Sequence, residues 1–175
     1  MGKVLVVTYS LTGTSRRLAQ QLCSQQAWPM GEIREARTRK GMPGMLRCLL
    51  DSWLKRTPEV AYAGPPPIAF DTVVLISPIW TYRLAGPMRS FVSSRQKQLP
   101  DVAMISVMGG AGAQHAEAEV VELLGRPLIL STSFKQKEVQ ARACTDHLKA
   151  FASALETAQD LHMPTRAPIW KPQVV

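Results

Sequence analysis

The chain has 175 residues, enough for one domain with a full core and too few for two ordinary ones. Its 46% hydrophobic and 19% charged residues give the composition of a soluble globular protein, and no stretch approaches the roughly 20 apolar residues that span a bilayer. The formal net charge of +8 points to an anionic counterpart, whether an acidic protein, a nucleotide, a polyphosphate or an anionic surface. The chain runs at once into a strand, so no signal peptide is expected. Cys23, Cys48 and Cys144 are widely spaced and form no C-x-x-C pair. They fit structural thiols in a reducing compartment, with the cytoplasm as the expected location and neither a disulfide framework nor a zinc site.

Strand and helix patterns alternate along the sequence. Val4–Thr8 is a run of β-branched residues interrupted only by Leu5, as suits a strand buried on both faces. Ser10, Thr12, Gly13, Thr14 and Ser15 follow it, four hydroxyls around one glycine, and Ser15–Gln26 then carries Leu18, Ala19, Leu22 and Cys23 at helical spacing. A helix start offers unpaired N–H groups and the positive end of the macrodipole, so this loop is an anion site. It contains no lysine, which suits a phosphate monoester held by hydrogen bonds. Arg16 and Arg17 fall in the first helical turn, where cations oppose the dipole. Two readings stay open for them: a bound anion nearby, or plain exposure to solvent.

A short strand is expected around Glu32–Ala36, then a helix within Met42–Leu54. Arg34, Arg37, Arg39, Lys40, Arg47, Lys55 and Arg56 share this part of the chain with only Glu35 and Asp51 as acids. Pro65–Pro67 punctuates the sequence. Thr72–Ser77 is the next buried strand, followed by a loop over Pro78–Gly86 and a helix over Pro87–Lys97. Val102–Met108 is a strand ending in Gly109, Gly110, Ala111 and Gly112. A helix over His115–Leu124, a strand over Leu128–Ser133 and one long helix over Val139–Ala158 complete the pattern, with an extended Pro-rich tail at 161–175.

Five parallel strands with crossover helices make an open doubly wound α/β sheet. Ligands of such sheets bind beyond the carboxyl ends of the strands, at the switch point in strand order. Three unusual loops converge there: Ser10–Ser15, Pro78–Gly86 and Gly109–Gln114. In the second, Trp80 and Tyr82 suit a flat conjugated ligand, although both residues could simply cap the core. In the third, residues without a Cβ allow close backbone approach.

Together these loops resemble those of the flavodoxin-like family of flavin mononucleotide (FMN) proteins. Ser10-Leu11-Thr12-Gly13-Thr14-Ser15 is similar to the family's phosphate loop. Ser77-Pro78-Ile79-Trp80-Thr81-Tyr82 is similar to the loop that stacks on the isoalloxazine ring, and Met108-Gly109-Gly110-Ala111-Gly112 to the loop along the ring's polar edge. The resemblance spans roughly residues 3–158 and implies a flavodoxin-like five-stranded parallel sheet of order 2-1-3-4-5. It implies one domain over residues 1–160, with a basic helical insertion at 38–63. It further implies FMN as cofactor, held by Ser10, Leu11, Thr12, Gly13, Thr14 and Ser15 at the phosphate. Pro78, Ile79, Trp80, Thr81, Tyr82, Gly109, Gly110 and Ala111 would then contact the ring. No side chain need act as acid or base, since the flavin carries the chemistry.

The basic balance departs from electron-shuttling flavodoxins, which are acidic. A receiver domain would need acids where Tyr9 and Ser10 stand, a small tyrosine phosphatase a cysteine within Thr8–Ser15, and a P-loop enzyme a Gly-Lys-Ser/Thr run. All are missing, and His115, His147 and His162 are too scattered to assemble a triad. Two functions remain. One is an oxidoreductase passing electrons from NAD(P)H or a redox partner protein to a quinone or other small-molecule acceptor. The other is a one-electron carrier that docks on an acidic partner. The basic segment 34–56 is expected to dock an acidic partner or an anionic surface, and nucleic acid is not the expected ligand.

Overall fold

The computed structural model describes residues 2–35, 57–141 and 143–162. Its centre is a sheet of seven strands: β1 (Val4–Tyr9), β2 (Met30–Glu35), β3 (Val60–Ala63), β4 (Thr72–Trp80), β5 (Arg83–Leu84), β6 (Asp101–Met108) and β7 (Leu130–Lys135). The strands run β3-β2-β1-β4-β6-β7 across the sheet, with β5 attached to β4. The pairs β1–β2, β1–β4, β4–β6 and β6–β7 are parallel. The pairs β2–β3 and β4–β5 are antiparallel.

The α-helices among the described residues are α1 (Thr14–Gln26), α2 (Gly86–Arg95), α3 (Ala113–Leu124), α4 (Gln136–Gln140) and α5 (Thr145–His162). Successive side chains of a strand point to opposite faces, and here both faces are covered. Val4, Val6, Val74, Ile76, Ala103 and Ile105 pack with Leu18 and Leu22 of α1 and Leu148, Phe151 and Leu155 of α5. Leu5, Val7, Val73, Leu75, Val102 and Met104 pack with Met88 and Phe91 of α2 and Val120 of α3. All six residues of β1 are buried, which is why the stretch shows no alternation of apolar and polar residues.

The sheet is larger than the five strands expected from the sequence. Val60–Ala63, taken as the end of a helical insertion, is an antiparallel edge strand on β2. The chain does not leave the sheet at Ser77: β4 continues to Trp80 and turns back as β5. The last strand lies two residues later than expected, at Leu130–Lys135. The single long C-terminal helix is two helices, because α4 ends at the Ala141 cap and α5 starts afresh at Thr145. The helix expected within Met42–Leu54 and the tail beyond His162 lie outside the described residues.

The described residues hold twelve basic and twelve acidic side chains, so they carry no net formal charge. The whole excess of +8 belongs to residues 36–56, Arg142 and 163–175.

The edge strand is fastened through Tyr62. Its hydroxyl donates to the Pro65 carbonyl at 2.7 Å, and its ring meets Phe91 at 5.1 Å between centroids. The Arg95 guanidinium lies 5.4 Å from the Tyr62 ring and 5.0 Å from Phe91. Gly31 on β2 leaves room for this ring, since a Cβ there would fall on the Tyr62 side chain. Gly31→Ala should therefore destabilise the protein by about 1–3 kcal/mol, the cost of overpacking, as read from urea unfolding.

Candidate functional site

The strands β1, β4 and β6 end on the same edge of the sheet, and their last residues together with the segments that follow enclose a cleft of about 460 Å³. That lies in the range of small-molecule sites, roughly 300–1,000 Å³. Ser10, Leu11, Thr12, Thr14 and Ser15 line it from the first loop. Pro78, Ile79, Trp80, Thr81 and Tyr82 come from the second, and Gly109, Gly110 and Ala111 from the third. The structure thus brings together every site residue expected from the sequence except Gly13. Two lining residues were missed. Val107 precedes the third loop, and Gln136 opens α4 after β7. Nothing in a lone glutamine within a polar stretch marks it out.

Gly13 acts through its backbone. It is the N-cap of α1 with φ +87°, a left-handed conformation, and a Cβ there would meet nothing within 4 Å. The need for glycine is therefore conformational rather than steric. No side chain caps α1, and its first turn holds no acid. The unpaired amides of that turn stand beside the hydroxyls of Ser10, Thr12, Thr14 and Ser15, with Thr12 Oγ1 3.4 Å from Thr14 Oγ1. Neutral donors at a helix N-terminus are what an anion needs. The two arginines of this turn are accounted for otherwise. Arg16 forms an ion pair with Glu32 of β2, and Arg17 is exposed. Arg34 adds a second contact to Glu32 at 2.9 Å. Burial pushes the Glu32 carboxyl up, but hydrogen bonds from Arg34 and Arg16 outweigh it and hold the group below its usual range.

The second loop is a tight hairpin. Trp80 pairs with Arg83 across it, and Thr81 and Tyr82 form its tip with φ of 48° and 63°. Positive φ at both central residues follows the right-handed twist of the flanking strands, and Asn-Gly is the usual solution. A β-branched residue and an aromatic one hold that geometry only under strain, on the order of 1–3 kcal/mol each. Tyr82 is 60% exposed, so burial of its ring does not offset this. Trp80 is half-buried and meets Tyr9 edge to face at 6.0 Å, while the Tyr9 hydroxyl donates to Glu35 at 2.5 Å. Arg83 turns away from the cleft. It lines a second hollow of about 470 Å³ on the far side of Tyr82, with His115, Glu119 and Glu122.

The base of the hairpin is gripped from below. Arg89 of α2 and Glu119 of α3, 3% and 7% exposed, form a buried ion pair. The Leu84 N–H donates to Glu119 Oε2 at 3.4 Å, and Arg89 Nη2 donates to the Leu84 carbonyl at 3.0 Å.

In the third loop Gly109 and Gly110 have open space where a Cβ would stand. Gly112 does not. It caps α3 with φ +112°, and a Cβ there would lie 2.6 Å from the Tyr82 Cα. The hairpin tip therefore rests directly on the glycine loop. The wall from Gly109 to Ala111 presents no side chain larger than a methyl group. Among the described residues no cluster of three or more metal-ligating side chains occurs, and no helix is long and apolar enough to cross a membrane.

No family model and no curated protein matches the sequence. Solved structures do match in shape. A flavoprotein from Lactobacillus acidophilus in complex with FMN aligns over 81% of this chain and 98% of its own, at 18% identity and a TM-score of 0.67. A Fusobacterium nucleatum flavodoxin bound to flavin mononucleotide aligns over 90% and 98%, at 7% identity and a TM-score of 0.54. A flavone reductase covers 91% of this chain and 64% of its own, at 10% identity and a TM-score of 0.54. The chain has the flavodoxin-like fold.

Two outcomes follow from this geometry. Gly112→Ala, strained in φ and colliding with backbone, should cost about 1–3 kcal/mol in urea unfolding, whereas Gly110→Ala should be close to neutral. Glu32 adds stability that is full above its unfolded pKa of about 4.3 and fades as pH falls through the lower folded value. Unfolding curves of Glu32→Gln and the parent protein should thus differ at pH 7 and converge in acid.

Proposed function

We propose that the chain is an FMN-binding oxidoreductase that takes electrons from NAD(P)H or a redox partner and passes them to a quinone or another small planar acceptor. The observation that carries this reading is the single cleft formed by an uncapped, hydroxyl-rich helix start, an aromatic hairpin and a side-chain-free glycine wall. Each part answers one part of FMN. The α1 amides with Ser10, Thr12, Thr14 and Ser15 fit the phosphate. Trp80 and Tyr82 offer aromatic surface for a flat ring, and backbone near Gly109–Ala111 can approach its polar edge. FMN in two proteins of the same fold supports the assignment.

Bound flavin supplies the electron and hydride chemistry. The residues of this chain bind the phosphate, orient the ring and limit water on its buried side. A flavone reductase of the same fold is consistent with a planar acceptor. The basic stretch within 34–56 would then recognise an anionic donor, an acidic partner or an anionic surface.

The first test is the visible spectrum after FMN is added and the excess removed. Bands near roughly 370 and 450 nm should remain with the protein, and NADPH or NADH should bleach them under anaerobic conditions. Bleaching only with an added protein reductase would instead favour a carrier. The Thr12→Ala/Ser15→Ala double variant should raise the FMN dissociation constant about 100-fold or more, since each hydroxyl bond to a charged group is worth about 1.5–3 kcal/mol. Titration by flavin fluorescence measures this, and unchanged affinity would remove the phosphate-loop assignment.

A further inference from the structure

The hairpin tip is held against its own preference, and its holding device lies outside the cleft. Thr81 and Tyr82 both sit at positive φ, and neither is a residue that favours it. Thr81 Oγ1 donates only to the adjacent Trp80 carbonyl, and Tyr82 is largely exposed. The tip therefore draws little support from its own side chains. Besides the contact of Tyr82 with Gly112, what fixes the turn is its base. Only two residues, Arg83 and Leu84, return along β4, and Leu84 is fully buried. Both backbone polar groups of Leu84 bond to the Arg89–Glu119 pair.

We infer that Arg89 and Glu119 are positioning residues for the aromatic wall. By clamping Leu84 they hold Thr81 and Tyr82 in the left-handed turn, so that Trp80 and Tyr82 face the cleft in one arrangement before any ligand arrives. This rests on the flavin reading for its functional consequence, but the clamp itself does not. A buried ion pair is a poor route to stability alone, because apolar residues of similar volume commonly replace one at no loss. Its planar guanidinium and carboxylate instead supply directed bonds to one strand residue from two different helices. Because α2 follows the hairpin and α3 follows the glycine loop, the pair also sets the spacing of the two walls.

The experiment is an apolar replacement of the pair, Arg89→Met/Glu119→Leu, which leaves no lone buried charge. In the ligand-free protein, amide hydrogen exchange at Thr81–Leu84 should accelerate at least tenfold while the amides of β6 remain protected. Binding is then measured with riboflavin, which lacks the phosphate, and with FMN. Both dissociation constants should rise by the same factor, at least tenfold, and the visible circular dichroism of bound flavin should fall. Adding Thr81→Asn, which tolerates positive φ, should recover part of the lost affinity, as a purely structural role for the pair would not allow. Unchanged exchange at the hairpin overturns the clamp. Unchanged riboflavin affinity, or a loss confined to FMN, overturns its role at the aromatic wall. Should the apolar pair fail to fold, Arg89→Lys serves instead: it keeps the charge without the planar fork, and parent-like exchange and riboflavin affinity there overturn the inference. A parent protein that binds neither flavin defeats the flavin reading, and the exchange result still decides the clamp.

Discussion

Parallel pairing is the constraint on which the site depends. Strands that run the same way must end on the same edge, so the segments after β1, β4 and β6 meet without any attraction among themselves. The cost is that both faces need cover, and the helices supply it with Leu18, Leu22 and Phe151 on one side and Met88, Phe91 and Val120 on the other. The apolar register of the strands thus serves two ends at once. It builds the core, and it brings a helix start, an aromatic turn and a glycine turn within one small volume.

The three segments then divide the work by backbone type. At Gly13 the chain enters α1 through a left-handed residue, which leaves the first-turn amides uncapped. At Thr81 and Tyr82 it reverses within two residues and keeps Trp80 at the rim. At Gly112 it passes so close to Tyr82 that a methyl group would not fit. The second and third segments are therefore one mechanical unit, and a change in either is felt by the other.

Much of this was legible in the sequence because burial leaves a coarse signal. The run Val4–Thr8 and the hydroxyls around Gly13 marked both a strand and its site, and thirteen of the expected lining residues border the cleft. What stayed hidden depends on tertiary contacts. Thr81-Tyr82 carries no turn signal, because the geometry is imposed by Leu84, Gly112 and the strands rather than by local preference. Pro78 argued against a continuing strand, yet β1 pairs no further than Ile76, so β4 is no longer flanked by it where the proline falls. Val60–Ala63, four residues long, is too short to stand out from a connecting segment. Arg89 and Glu119 carry no signal of burial in the sequence, because only the packing of α2 on α3 puts the pair inside. The break between α4 and α5 was masked by a run of good helix formers.

The even balance of charge in the folded frame has a consequence for how the molecule responds to salt. The described residues hold as many acids as bases, so they repel one another little at any ionic strength. The surplus cations fall in residues 36–56, Arg142 and 163–175. Raising ionic strength over a range where the Debye length shrinks from about 30 to about 8 Å would weaken long-range attraction to a polyanion and leave the packing of the core almost untouched. In this chain, encounter and fold answer to different variables: one to screening, the other to burial.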